Sequence, residues 1–199
     1  VKRVLMLVAV GLLIVVSACH KTPPTSDPVW SFQATGDSVL FQAEFYGGGS
    51  GANTQGLVGL GWEAKHAQPR LDENVHIDGH SPAVLVMAFG QNYADVYGQA
   101  ESDELFRMMF TPHDSACVVV VLPSMRQNMD RVRADLQTLA WARSGQGKPT
   151  RVVDWQTRVS AHPEYLDADG VHLSSTDANG NGRWDSSEAF LQMMSGGCS

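Results

Sequence analysis

The stretches 117–122, CVVVVL, and 82–89, PAVLVMAF, decide how this chain folds. Runs this apolar and this short suit parallel strands, because helices cover such a sheet on both faces and leave no side for polar residues. Pro123 closes one run and Gly90 follows the other. Around them the hydrophobic period changes. In 128–143, Met129, Val132, Leu136 and Leu139 recur at spacings of three and four, which predicts a helix with one apolar face; Asp130, Arg131, Arg133 and Asp135 take the other. A second helix is expected over 102–110. Towards the front, a strand over 30–35 ends at Gly36, a helix covers 39–46, the glycine cluster 47–51 stops it, and a short strand lies near 55–58. Towards the back, 151–155 (RVVDW) reads as the last strand, the connection to Leu173 has little regular pattern, and 188–194 reads as a closing helix. Strands alternating with helices define an α/β chain, a three-layer α/β/α sandwich with a central, mostly parallel sheet.

The front of the chain carries an export signature. Lys2 and Arg3 precede an apolar run over 4–16, too short to span a bilayer but of the length of a signal-peptide core. It ends in Val16-Ser17-Ala18-Cys19, which resembles the lipobox of bacterial lipoproteins. The expected organisation is a signal peptide over 1–18, lipidation at Cys19, a polar proline-rich tether over 19–28, and one domain over 29–199. Such a protein would be exported and held to the outer face of the membrane by its lipid. Outside the reducing cytoplasm, Cys117 and Cys198 are expected to pair, the alternative being two free thiols. The formal charge of −7 becomes −9 without the signal, because 14 basic residues fall to 12 against an unchanged 21 acidic ones. That balance argues against nucleic acid or anionic headgroups as the main partner.

In sheets of this class, ligands bind beyond the carboxyl ends of the strands. Ser38, Gly61 and Asn92 each follow an expected strand. Gly36-Asp37-Ser38-Val39, a glycine after the second strand, Gly90-Gln91-Asn92 and Asp169-Gly170-Val171-His172-Leu173 together resemble, in order, the four sequence blocks of the SGNH hydrolases, also called the GDSL esterase/lipase family. The segment 152–173, with Asp154-Trp155 ahead of the Asp-Gly-Val-His run, further resembles SGNH domains that accompany acyltransferases acting on envelope glycans.

The resemblance implies a serine nucleophile, Ser38, a base, His172, and an orienting carboxylate, Asp169. A serine hydroxyl attacks an ester only when a base takes its proton, and the base needs its other ring nitrogen held. It also implies an oxyanion hole built from the backbone N–H of Ser38, a backbone N–H of Gly61, with Gly59 as the alternative, and the side-chain amide of Asn92. Asn92 could equally cap a helix. Tyr93 stands where the family often has aspartate. The reaction implied is hydrolysis of small acyl esters, acetyl above all, on envelope carbohydrate or lipid, with no cofactor required. Transfer of the acyl group to a glycan hydroxyl is the alternative, and a silent glycan- or partner-binding lipoprotein is a third reading.

Two further motifs suggest metals. His76, Asp78 and His80 offer ligand-type side chains but precede a strand, at the wrong edge for the site, and read better as a solvated loop. Asp177, Asn179, Asn181, Asp185 and Glu188 occupy positions 1, 3, 5, 9 and 12 of a calcium-loop pattern with Gly182 at the sharp turn. The choices there are structural calcium or a polar turn rich in Asn and Gly. No lysine-bearing phosphate loop follows the glycine cluster, and the G-x-S-x-G elbow of the other large serine hydrolase fold is absent.

Overall fold

Strands β1 (Phe32–Gly36), β2 (Val84–Ala88), β3 (Cys117–Leu122) and β4 (Thr150–Asp154) lie side by side in that order, all parallel. The computed structural model describes residues 32–49, 59, 63–67, 69, 82–93, 96–112, 116–124 and 128–198. The signal segment, Cys19, the tether, the strand expected near 55–58, Gly61 and the His76–His80 stretch lie outside the described residues.

The pleat sorts the apolar runs onto two faces. Leu85, Met87, Val118, Val120 and Leu122 pack with helices α2 (Gln99–Phe110) and α3 (Asp130–Gly145) through Leu105, Met108, Met109, Val132 and Leu136. Val86, Ala88, Val119 and Val121 point the other way, onto α1 (Ser38–Tyr46), α4 (Trp155–Ala161) and α5 (Asp185–Met194) through Leu40, Ala43, Trp155, Val159 and Phe190. Three layers result, with a core on each side of the sheet. Each fully buried Val, Leu or Phe contributes roughly 1.5–3 kcal/mol relative to exposure.

Several boundaries differ from the sequence reading. RVVDW is not all strand: β4 ends at Asp154, whose carboxylate accepts from the Gln156 N–H at 3.0 Å and so caps a new helix beginning at Trp155. That helix, and a 3₁₀ turn over Pro163–Tyr165, occupy part of the connection expected to lack pattern. The helix before β3 starts at Gln99, and the last starts at Asp185. Arg133 does not stay on a solvated face: it pairs with Asp154 at 2.9 Å and donates to the Pro123 carbonyl, bracing two strand ends.

Cys117 and Cys198 form the expected disulfide, 81 residues apart in sequence. Closing a loop of that length constrains the unfolded chain by about 4–5 kcal/mol in the chain-entropy account. The bond ties the end of the chain to the amino end of β3, where Arg151 also donates to the carbonyls of Ser195 and Gly197 at 2.9 and 3.1 Å. Among the described residues, no helix is long and apolar enough to cross a membrane.

Candidate active site

The register sets Gly36 beside Ala88 and Leu122 beside Asp154, so all four strands finish at one edge. Directly beyond β1 the chain must turn tightly past β2. A Cβ on Gly36 would stand 2.6 Å from the Ala88 carbonyl oxygen and 2.8 Å from Leu40, so only glycine fits there. The next residue, Asp37, continues the ladder with its N–H on the Ala88 carbonyl at 3.1 Å, then caps α1 by accepting from the Val39 N–H at 3.1 Å. Ser38 is thereby fixed as the first residue of a helix, at the end where backbone N–H groups have no intrahelical acceptor.

His172 reaches the same edge on a short ribbon. Leu166 and Leu173 form an antiparallel bridge, flanked by the Asp167 N–H on the His172 carbonyl and the Ser174 N–H on the Tyr165 carbonyl, both 2.9 Å. Leu173 is buried in the core, and its N–H donates to the Gln42 side chain of α1 at 3.1 Å. The loop carrying the histidine is thus fastened to the helix carrying the serine. Gly170, with φ of 69°, makes the reversal that brings Asp169 back over His172.

Ser38, His172 and Asp169 come together beyond this edge. Ser38 Oγ lies 3.1 Å from His172 Nε2, and His172 Nδ1 lies 2.6 Å from Asp169 Oδ2. An ionised carboxylate can only accept, so the proton sits on Nδ1 and leaves Nε2 to accept from the serine hydroxyl. Burial works to raise the Asp169 carboxyl, but the His172 side chain, the N–H groups of His172 and Val171 and the nearby imidazole charge outweigh it and hold it at about 2. It is ionised throughout the neutral range. The arrangement can take a proton from Ser38, stabilise the resulting imidazolium, and return the proton to a leaving group.

The oxyanion block is only partly described. Asn92 stands half-buried in a 3₁₀ turn, Gln91–Tyr93, just beyond β2, at the same edge as Ser38. It lies inside that turn and not at the cap of a helix. Gly59 is buried, and Gly61 is outside the described residues. Tyr93 takes a different local role from an aspartate: its hydroxyl accepts from the Ala64 N–H at 2.7 Å and donates to Glu104 at 3.0 Å.

In the 177–188 loop, the Asp177 carboxylate accepts from the N–H groups of Asn181 and Gly182, Asn179 donates to Asp185, and Asn181 donates to Glu188, at 2.8–3.2 Å. Among the described residues, no three His, Cys, Asp or Glu side chains are grouped closely enough to hold a metal. The loop is folded by its own amides and carboxylates. Ser186, at its end, donates to the Ser174 carbonyl at 2.7 Å and so joins it to the histidine ribbon.

Sequence reading missed Asp37 as a structural element, although an Asp ahead of a helix is a capping signal. Its other oxygen accepts from the Gln91 N–H at 3.2 Å, which links the serine turn to the asparagine turn. Burial, the strongest influence, pushes its carboxyl up to about 6, against the lowering effect of the N–H groups of Val39, Gln91 and Gly90 and the charge of His172.

The architecture is a parallel three-layer sandwich with a serine, a histidine and an aspartate gathered at the carboxyl edge of its sheet. No protein-family model matches the sequence, and no curated protein does. Solved structures do share the fold. The C-terminal catalytic domain of Streptococcus pneumoniae peptidoglycan O-acetyltransferase A superposes with a TM-score of 0.56 at 18% identity, over 81% of this chain and 88% of that one. A family 3 carbohydrate esterase of Clostridium thermocellum superposes with a TM-score of 0.52 at 16% identity, over 81% of this chain and 91% of that one. The chain shares a three-layer α/β/α fold with these two proteins, and that is the fold the SGNH resemblance implies.

The raised Asp37 carboxyl has a stability consequence. A carboxyl ionising near 6 when folded but near 3.8 when unfolded stabilises the fold fully below 3.8, and that stabilisation is lost as pH rises through about 6. It amounts to about 3 kcal/mol at most. In Asp37→Asn this dependence is absent. Denaturant unfolding of both proteins at pH 4 and 7 is expected to show the wild type losing ground to the variant as pH rises; a constant difference would contradict the assignment.

Proposed function

We propose that the protein is a serine esterase that cleaves small acyl esters, acetyl foremost, through a Ser38 acyl-enzyme. The observation that carries this reading is the continuous hydrogen-bonded line Ser38 Oγ, His172 Nε2, His172 Nδ1, Asp169 Oδ2, with links of 3.1 and 2.6 Å. His172 takes the Ser38 proton as Oγ attacks the ester carbonyl. The tetrahedral oxyanion is met by the Ser38 N–H, the Asn92 amide and a glycine N–H from the second block, Gly61 or Gly59. His172 then gives the proton to the leaving alcohol, and water repeats the cycle on the acyl-enzyme.

The substrate class proposed is an acyl ester on envelope carbohydrate or lipid. What supports it is the fold shared with a peptidoglycan O-acetyltransferase domain and a carbohydrate esterase, together with the export signature. The transferase neighbour also supports the second reading, in which a glycan hydroxyl replaces water at the acyl-enzyme. A serine-directed phosphonate and an acetyl ester test the site together. Wild type is expected to be labelled and to release acetate, and Ser38→Ala to lose both. Asp169→Asn, which no longer enforces the histidine tautomer, is expected to turn over ~10,000-fold more slowly. Failure of the folded wild type to label would overturn the enzyme reading in favour of a silent binding lipoprotein. Acetylated glycan appearing when acceptor is supplied would favour the transferase.

The same reading has the protein exported and held at the outer membrane face through lipid on Cys19, with 1–18 removed. Cys19→Ser is expected to shift the protein from the membrane fraction to the soluble one, and unchanged membrane retention would refute the anchor.

For the 177–188 loop we propose structural calcium, held by Asp177, Asn179, Asn181, Asp185 and Glu188. The ion would supply no catalytic chemistry and would brace the turn that leads away from His172. Support comes from the sequence, which spaces five oxygen-bearing side chains at positions 1, 3, 5, 9 and 12 of one loop; the ion would have to draw together carboxylates that are not grouped for a metal in this structure. Calcium added to chelator-stripped protein is expected to raise its melting temperature by several degrees. No rise, with unchanged turnover, would leave the loop as a self-braced polar turn.

A further inference from the structure

Beneath the triad, a second line of polar groups joins the same catalytic segments without using Ser38, His172 or the Asp169 side chain. It begins at the Asp37 carboxylate, which accepts from the Gln91 N–H at 3.2 Å. The Gln91 side-chain amide donates to Ser124 Oγ at 2.8 Å. Ser124, two residues beyond β3, donates in turn to the carbonyl oxygen of Gly170 at 3.4 Å. The line runs from the serine turn, through the turn that holds Asn92, past the end of β3, to the residue between Asp169 and Val171.

Its members are out of water. Asp37, Gln91 and Ser124 are 1%, 3% and 0% exposed. A cavity of about 10 Å³ touches Asp37, Gln91 and Pro123, room for at most one water. A polar side chain at such depth costs stability unless it is hydrogen-bonded, and a chain of such bonds has few alternative arrangements. An apolar contact would fill the same space without fixing a direction. A hydroxyl between an amide and a carbonyl is directed towards both, firmly over the 2.8 Å link and more loosely over the 3.4 Å one.

We propose that Gln91 and Ser124 are positioning residues that set the separation between the oxyanion turn carrying Asn92 and the loop carrying Asp169 and His172. The proposal rests on the esterase reading above. Neither residue touches the reacting atoms. Their effect is to keep Asn92 and His172 at mutually productive positions as charge develops, where a displacement of about 1 Å can cost ~100-fold in rate. The consequence is a loss in turnover with little change in substrate affinity.

The test uses the full chain with p-nitrophenyl acetate as substrate and a fluorophosphonate to count competent serines. Ser124→Ala is expected to lower kcat per labelled site about 10- to 100-fold while KM stays within about threefold. Ser124→Thr, which keeps the hydroxyl, is expected to recover most of that loss. Gln91→Met cuts the same link from the other side and leaves the backbone N–H on Asp37 intact, so it serves if Ser124→Ala folds poorly. The double variant is expected to be no worse than the more impaired single one, because both remove one shared bond. A structural role alone would lower melting temperature and the labelled fraction but leave kcat per labelled site unchanged, and that result overturns the proposal. Fully additive losses overturn it too. A folded wild type that neither labels nor turns over ester overturns the esterase reading and this proposal with it, and is distinguishable from an active wild type matched by equally active variants.

Discussion

The parallel register that places Gly36 beside Ala88 is the constraint on which the rest of the site depends. Because all four strands run the same way, their carboxyl ends finish together, and every chain segment leaving the sheet there starts from a neighbouring position. The Asp37 N–H extends the ladder past the end of β1 and makes the turn a continuation of the sheet. A nucleophile on that turn inherits the rigidity of the two cores beneath it. The histidine has no such strand of its own. It is brought in by a two-leucine bridge, a buried Leu173 and a bond from Leu173 to Gln42, so its position is borrowed from the core and from α1.

Much of this was legible in the residues. CVVVVL could only be a strand covered on both sides, and its alternate residues do divide between the two cores. The serine, histidine and aspartate were readable because ester chemistry of the proposed kind would require those residue types and because they fall, in order, in blocks that resemble those of the SGNH hydrolases. The Tyr93 departure left a gap that sequence could not fill, since the partners of its hydroxyl, Ala64 and Glu104, lie at separations with no period. The same holds for Gln91 and Ser124, whose bond spans 33 residues. RVVDW failed as a single strand for a local reason: Asp154 is both the last strand residue and the cap of the following helix, and the apolar Trp155 suits either state. The choice between Gly59 and Gly61 rests on Gly59-Leu60-Gly61-Trp62, where two glycines stand two positions apart and only the Gly-Trp pair favours Gly61.

The charged groups divide by depth. Asp169 lies at the surface, half exposed, and is kept ionised by the imidazole and two backbone donors. Asp37 is buried and accepts donors of the same kind, yet its ionisation is opposed by the loss of water. Two carboxylates that both feel the charge of His172 thus shift in opposite directions. The outer one keeps contact with water, whereas the inner one has lost it and answers chiefly to burial.

The disulfide closes at the amino end of β3, and the site lies past the carboxyl end of the same strand. Strand length separates the covalent lock from the chemistry. A reductant acting on Cys117–Cys198 therefore loosens the molecule from the far side first, through the anchorage of α5 and the carbonyls that Arg151 holds. The edge that carries Ser38 has no covalent link of its own and is fastened by core packing and hydrogen bonds, so reduction reaches it only through the loosening of the opposite end.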